Sequence, residues 1–174
     1  EITLPQDKNN IATCNLVSIN LSAFLGEDKT WDWDRLKEAA RAAVRQLDNL
    51  CDITQTPIPE AMHSNQQTRA IGLGIMGLSD VLEKLGYCYE SKEAYDLVDQ
   101  LTEFISYHAI DQSADLAKEL GSYPTFAGSG WSKGLLPIDT VDKLSKDRGV
   151  KVKIDQKTRL DWDGLRKKVK KGMR

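Results

Sequence analysis

Apolar residues between Asp34 and Cys51 recur every three or four positions. This spacing places them on one face of a helix. The members of this stripe are Leu36, Ala39, Ala40, Ala43, Val44, Leu47, Leu50 and Cys51. Asp32 or Asp34 can cap the first turn, because a short side-chain oxygen there accepts from an unpaired backbone N–H. The pattern therefore predicts a long amphipathic helix with one buried face.

Helical spacing returns in four later segments. The Thr56-Pro57-Ile58-Pro59 segment interrupts the first pattern, because proline lacks a backbone donor and disfavours helix at the preceding residue. Gly86 and Gly121 follow two of the later stripes, and glycine readily adopts the left-handed conformation after a helix. The predicted helices start near Pro59, span 78–85, run from Ser91 to Gly121, and run from Asp161 through Val169.

Two segments have the composition of strands. Residues 12–21 are β-branched or small without helical spacing, and residues 69–75 form a short apolar run between polar stretches. The stretch 123–157 is rich in glycine and other loop residues. Helices alternating with isolated strands favour a helix-rich α/β fold with parallel strands. We expect residues 1–174 to form a single domain, or part of one.

The charge and the cysteine content indicate which partners and which cellular compartment to expect. The chain has 174 residues, 40% of them hydrophobic, and a formal net charge of -2, so no strong field favours nucleic acid or an anionic membrane. We expect neither as a partner. The three cysteines are odd in number and widely spaced, which favours a reducing cytoplasm over a secreted disulfide scaffold. The chain begins at Glu1 without methionine and stops after a basic helical pattern, so we also expect flanking sequence to be missing.

The glycine motif Gly72-Leu73-Gly74-Ile75-Met76-Gly77 matches the pattern of dinucleotide-binding turns. In that interpretation the chain is an NAD(P)-dependent dehydrogenase, with a pyrophosphate at the start of the helix that follows. The alternative is that glycine allows close packing of backbone segments, because it has no side chain to separate them. The polar segment 63–69 before Gly72 favours close packing, since only Ala70 and Ile71 remain to form the preceding strand.

Other chemical motifs are weak. Glu60 and His63 have the spacing found in di-iron bundles, but the pattern occurs once and such a centre needs it twice. We expect no metal site, a loop position for His63, and a structural role for His108. The basic run 166–171 is typical of a solvated helix end. Cys51 and Cys88 are expected to be ordinary buried or surface thiols.

Several segments, taken in order, resemble the large catalytic subunit of ribonucleotide reductase. The resemblance covers nearly the whole chain and includes the glycine motif. The matching segments are 1–5, 12–21, 47–50, 57–59, 69–74, 77–78, 113–121 and 134–139. It implies that this chain is an internal part of a ten-stranded α/β barrel in an enzyme that makes deoxyribonucleotides for DNA synthesis.

The resemblance also assigns two residues. Glu1 matches the carboxylate that handles the 3′ hydroxyl proton of the ribonucleotide, while a thiyl radical on a nearby cysteine takes the 3′ hydrogen. Cys14 matches one of two redox cysteines that supply electrons and finish as a disulfide. The radical cysteine, the second redox cysteine, the phosphate-binding loop and the terminal tyrosines would lie outside this chain. We therefore expect the chain to be inactive by itself.

The resemblance implies partners as well. They are the remaining segments of the large subunit, a radical-generating small subunit, the ribonucleotide substrate, and thioredoxin or glutaredoxin. No cofactor is expected to bind this segment: the radical would come from a separate metal-containing subunit, or from adenosylcobalamin in a close relative. A non-catalytic structural or interaction module is a further interpretation of the same sequence.

Overall fold

The computed structural model describes residue 4 and residues 6–174. This part of the chain contains two strands and six α-helices. They are β1 (Asn15–Asn20), α1 (Trp33–Ile53), α2 (Pro59–Thr68), β2 (Ile71–Met76), α3 (Leu78–Leu85), α4 (Lys92–Leu120), α5 (Thr140–Arg148) and α6 (Trp162–Val169). Short 3₁₀ turns occupy Leu21–Phe24 and Pro137–Asp139. The predicted helix-rich α/β class is confirmed.

The strands β1 and β2 form a two-stranded parallel sheet. Asn15 pairs with Ile71 at one end and Asn20 pairs with Met76 at the other. The connection passes through α1 and α2, as a parallel pair requires, since the chain must return to the same end of the sheet. Within the described residues each strand has one paired edge and one unpaired edge.

Side-chain caps and glycines set the ends of the helices. The side chain of Asp32 accepts from the backbone N–H of Arg35 at 3.0 Å, so Asp32 is the cap of α1. Ser91 caps α4 in the same way, at 3.1 Å from the N–H of Ala94. Gly86 ends α3 with φ at 82°, in the left-handed region that glycine tolerates. These boundaries follow the sequence-based predictions closely.

The main hydrophobic core lies between one face of the sheet and helices α1, α3 and α4. Ile19 from β1 packs there with Leu36 from α1 and Leu101 from α4. A second cluster joins α4 to α6 through Ala114 and Leu165. Burial on this scale supplies the main driving force for folding.

Ion pairs join three helices, α1, α4 and α6. Arg41 on α1 donates to Asp111 at 2.6 Å and to Asp115 at 2.9 Å, both on α4. Lys168 on α6 contacts the same two carboxylates, 2.8 Å from Asp115. Asp111 and Asp115 are therefore shared between α1 and α6.

The stretch 123–157, predicted to be loop-rich, contains the helix α5. Its helical signal is weak because Val141 is the one fully buried residue of the element. Gly149 ends the helix with φ at 67°.

None of the helices in the described part of the chain is long and apolar enough to cross a membrane.

Candidate functional site

The sheet has one covered face and one open face. Side chains alternate along a strand, so Leu16, Ser18 and Asn20 share the face opposite to Ile19. Ile19 is buried under the helices, whereas Leu16 is 68% exposed. The open face is thus the side of the sheet that no described helix covers.

Cys14 precedes β1 and its side chain lies on this open face. Its thiol lies against β2 at Gly72, where an added methyl group would be 3.3 Å from Sγ. The thiol also donates weakly to the backbone carbonyl of Asn15 at 3.7 Å. Cys14 is half-buried. The Cys14 thiol is therefore partly exposed at the open face, and one of its sides lies against the backbone of β2 at Gly72.

The glycines of β2 leave the neighbouring part of the open face without side chains. Gly72 pairs with Leu16, and Gly74 pairs with Ser18. A methyl group at Gly72 would also lie only 2.5 Å from Cδ2 of Leu16, which is closer than van der Waals contact allows. The leucine side chain therefore occupies the space that a residue other than glycine would fill.

A small cavity of about 150 Å³ lies beside Cys14. Its lining residues carry mostly hydroxyl and amide groups: Thr13, Cys14, Asn15, Thr54, Thr56, Met62 and Asn65. The hydroxyl oxygen of Thr13 is buried and has no hydrogen-bond partner among the described residues. This cavity therefore offers polar contacts next to the thiol.

The side chain of Asn15 joins the sheet to α1. Its amide Nδ2 donates to Sγ of Cys51 at 3.5 Å, and its Oδ1 accepts from the hydroxyl of Thr54 at 3.4 Å. Burial raises the pKa of the Cys51 thiol, which stays neutral and unreactive. Cys88 is exposed. The sequence analysis allowed a buried or a surface position for these two cysteines, and that neither takes part in redox chemistry stays a prediction.

Glu1, the predicted proton acceptor, lies outside the described residues. Its position relative to Cys14 stays a prediction. Of the two predicted site residues, the structure describes Cys14 alone.

The glycine motif does not form a turn between a strand and a helix. Gly72 and Gly74 lie inside β2, and only Gly77 precedes α3. Gly77 has φ at 74°, and an added methyl group there would lie 2.5 Å from Oδ1 of Asn20. These positions fit close packing of backbone segments, whereas a dinucleotide turn needs its glycines between the strand and the helix.

A buried ion network near the sheet was missed by the sequence analysis. Arg69 adopts a left-handed backbone with φ at 47° and ends α2. Its guanidinium donates to Asp48 at 2.6 Å and to Asp52 at 2.6 Å, and Arg174 reaches Asp48 at 3.2 Å. The side chains of Arg69 and Asp48 are 6% and 5% exposed.

These contacts shift the ionisation of the network. Burial opposes the charge on Arg69, but the hydrogen bonds to Asp52 and Asp48 outweigh it and raise its pKa. The hydrogen bond from Arg69 lowers the pKa of Asp52. The signal in the sequence was Asp48, a charged residue within the apolar stripe of α1, since a buried carboxylate requires a partner.

The remaining motifs have structural positions. His63 was predicted to lie in a loop, but this was wrong: it is an exposed residue of α2, because Pro59 starts that helix four positions earlier. His108 packs edge-on against Phe104, with ring centroids 4.5 Å apart. In the basic run, Arg166 contacts Asp139 and Lys168 contacts Asp111.

No group of three or more His, Cys, Asp or Glu side chains is placed to hold a metal ion within residues 6–174.

Comparison with known proteins gives consistent matches. The family model for the ribonucleotide reductase barrel domain matches residues 1–174. The chain is 43% identical to the ribonucleoside-diphosphate reductase subunit alpha of Chlamydia pneumoniae, covering 100% of this chain and 17% of that protein. It is 44% identical to the subunit alpha of Helicobacter pylori strain J99, over 94% of this chain and 20% of that protein.

A more distant relative shows the same pattern. The ribonucleoside-diphosphate reductase large subunit of Danio rerio is 34% identical over 97% of this chain and 20% of its own length. The chain thus spans about a fifth of the length of the curated relatives that it matches. The match extends across the open sheet, Cys14 and the glycines of β2, and the chain therefore belongs to the ribonucleotide reductase barrel-domain family.

Proposed function

We propose that this chain forms one wall of the substrate site of a ribonucleotide reductase, with Cys14 as one of the two thiols that reduce the substrate. The observation that carries the proposal is the position of Cys14, half-buried at the open face of the sheet, in a chain matched to this family throughout. A redox thiol must be reachable by a substrate and by a second thiol, and an open face meets both needs.

The proposed reaction balances with two thiols. The 2′ hydroxyl of the ribonucleotide leaves as water and a hydrogen takes its place. The two electrons come from two cysteine thiols, which lose their protons and form one disulfide bond. A thiyl radical on a third cysteine would open the reaction by taking the 3′ hydrogen, and would be restored at the end. Thioredoxin or glutaredoxin would then reduce the disulfide.

The second thiol would come from another segment of the protein. A disulfide needs β-carbons about 3.5 to 4.5 Å apart. Cys51 is a poor candidate because it lies under the sheet, where Asn15 contacts it from the covered face. Cys88 follows α3 and lies beyond the far end of β2 in the chain. This supports a partner thiol carried by the part of the barrel that faces Cys14.

The open sheet supports association with the rest of the barrel. Leu16 and Met76 are 68% and 55% exposed on the open face. An unpaired strand edge exposes unsatisfied backbone donors and acceptors that a neighbouring strand would pair. We therefore propose that further strands of the large subunit extend this sheet, that Glu1 acts on the 3′ hydroxyl in that assembly, and that the chain by itself does not reduce nucleotides.

A chimeric enzyme tests the proposal. The matching segment of the Helicobacter pylori subunit alpha would be replaced by this chain, and reduction of a ribonucleoside diphosphate would be measured with the matching small subunit and a dithiol reductant. We expect turnover in the chimera and at least about 100-fold less in the Cys14→Ser variant, because a hydroxyl cannot form a disulfide. Cys88→Ser is the matched control and should retain turnover.

Two outcomes would contradict the proposal. One is a folded, substrate-binding chimera with no reductase activity. The other is a Cys14→Ser chimera that continues to turn over as fast as the Cys88→Ser control.

A further inference from the structure

We propose that Gly72 is a positioning residue for Cys14: the missing side chain at Gly72 forms the recess that holds the Cys14 thiol at the open face of the sheet. The importance of this position for catalysis rests on the function proposed above. The geometry of the recess does not, because it follows from the positions of Gly72, Leu16 and Cys14 in the structure.

Two contacts define the recess. A methyl group at Gly72 would lie 3.3 Å from Sγ of Cys14 and 2.5 Å from Cδ2 of Leu16. The first distance is tight for a carbon and a sulfur, and the second is too short for any pair of carbons. Any residue other than glycine must therefore displace the leucine side chain, the thiol, or both.

Gly74 lies two positions further along the same strand, on the same face, and it differs from Gly72 in its contacts. A methyl group there would lie 3.3 Å from the hydroxyl oxygen of Ser18 and 3.8 Å from the carbonyl oxygen of Val17. It meets neither Cys14 nor Leu16. Alanine at Gly74 therefore reproduces the general effect of alanine in this strand without touching the recess.

The direction of the effect follows from the geometry. A methyl group at Gly72 would lie 3.3 Å from Sγ, so the sulfur must move away from β2, and we expect this movement to expose the half-buried thiol further. A more exposed thiol reacts faster with an alkylating reagent. The same movement would take the sulfur out of the position from which it forms a disulfide, since that bond tolerates little change in geometry.

The experiment compares alkylation rates of the three cysteines by mass spectrometry of peptides, using iodoacetamide on the full 174-residue chain. We expect Gly72→Ala to speed alkylation of Cys14 by about threefold or more. Gly74→Ala should leave the Cys14 rate at the wild-type value. Exposed Cys88 checks the reagent, and buried Cys51 reports any general loosening of the fold.

A second variant separates the thiol from the leucine. In Leu16→Ala/Gly72→Ala the 2.5 Å contact is relieved, so the new methyl group meets only the thiol. Leu16→Ala alone is its reference. We expect the double variant to react faster at Cys14 than this reference, while Cys51 stays protected in both.

Two results would overturn the inference. The first is an unchanged Cys14 rate in both Gly72 variants while Cys51 stays protected. The second is faster alkylation of Cys51 together with Cys14 in the double variant, which would make Gly72 a residue of general packing.

The same substitutions in the chimeric enzyme connect the recess to catalysis. Gly72→Ala should lower kcat strongly and change KM for the ribonucleotide little. Gly74→Ala should lower kcat less than Gly72→Ala does. An inactive wild-type chimera would count against the proposed function alone, because the alkylation rates would still decide the role of Gly72.

Discussion

Nη2 of Arg69 lies 2.6 Å from Oδ1 of Asp48, and Nε of the same guanidinium lies 2.9 Å from that oxygen. Both side chains are almost fully buried. The pair fixes the end of α2 to the middle of α1 immediately before β2 begins. It therefore anchors the point in the chain from which β2 begins.

Replacing Arg69 by methionine should destabilise the chain by about 3 kcal/mol or more, because it leaves a buried carboxylate with one cation fewer. Urea unfolding measures this loss. Arg45→Met is the matched control, since Arg45 pairs with Glu119 at 2.6 Å but both side chains are about half exposed. It should cost much less stability, because solvent screens an exposed ion pair. If both variants lose the same free energy of unfolding, then burial does not make the Arg69 ion pair more important for stability than an exposed pair.

Gly77→Ala should destabilise more than Gly86→Ala, although both glycines have φ near 80°. Alanine in the left-handed region costs about 1 kcal/mol at either position. At Gly77 the new methyl group would also lie 2.5 Å from Oδ1 of Asn20, whereas nothing lies within 4 Å at Gly86. We expect an additional loss of about 1 to 2 kcal/mol for Gly77→Ala from overpacking. Thermal unfolding measures the difference between the two variants. Equal midpoint temperatures would contradict the predicted difference.

Stability should fall as the pH decreases from 7.5 to 5.5, because of His108. Burial lowers its pKa below the ordinary value of 6.5, Lys37 and Arg41 add to that effect, and Asp111 opposes it. The unfolded chain then binds the proton more readily than the folded chain, so protonation below about pH 6.5 favours unfolding. His108→Gln should remove most of this pH dependence in urea midpoints.

Leu36→Ala should cost about 2 to 5 kcal/mol, because Leu36 is fully buried in the main core and its truncation leaves a cavity. Leu16→Ala offers the matched comparison on the open face, where the side chain is 68% exposed. Its loss should stay within about 0.5 kcal/mol. A large loss for Leu16→Ala would show that the open face already packs against something in the isolated chain.

The local sequence was sufficient to predict most of the helices. The apolar stripe from Asp34 to Cys51 and the capping residues Asp32 and Ser91 act through neighbours one to four positions away, so their effect is visible in the linear pattern. Helix α5 escaped prediction because a single buried residue, Val141, holds it to the rest of the chain.

Only part of the candidate site could be predicted from the sequence. The ordered family motifs in the sequence were enough to single out Cys14. The recess beside it was not predictable, because it depends on which residue of β2 lies opposite Leu16, and that register joins positions 56 apart along the chain.

The sequence by itself determined five of the six described helices, the two strands, the family resemblance and the identity of one redox candidate, since each rests on local periodicity or on an ordered set of short motifs. Only the tertiary structure decided that Arg69 is clamped by Asp48, that Arg174 joins the same carboxylate from 126 positions away, and that the Cys14 thiol rests on Gly72. The physical reason is that burial and close contact depend on how distant segments pack together.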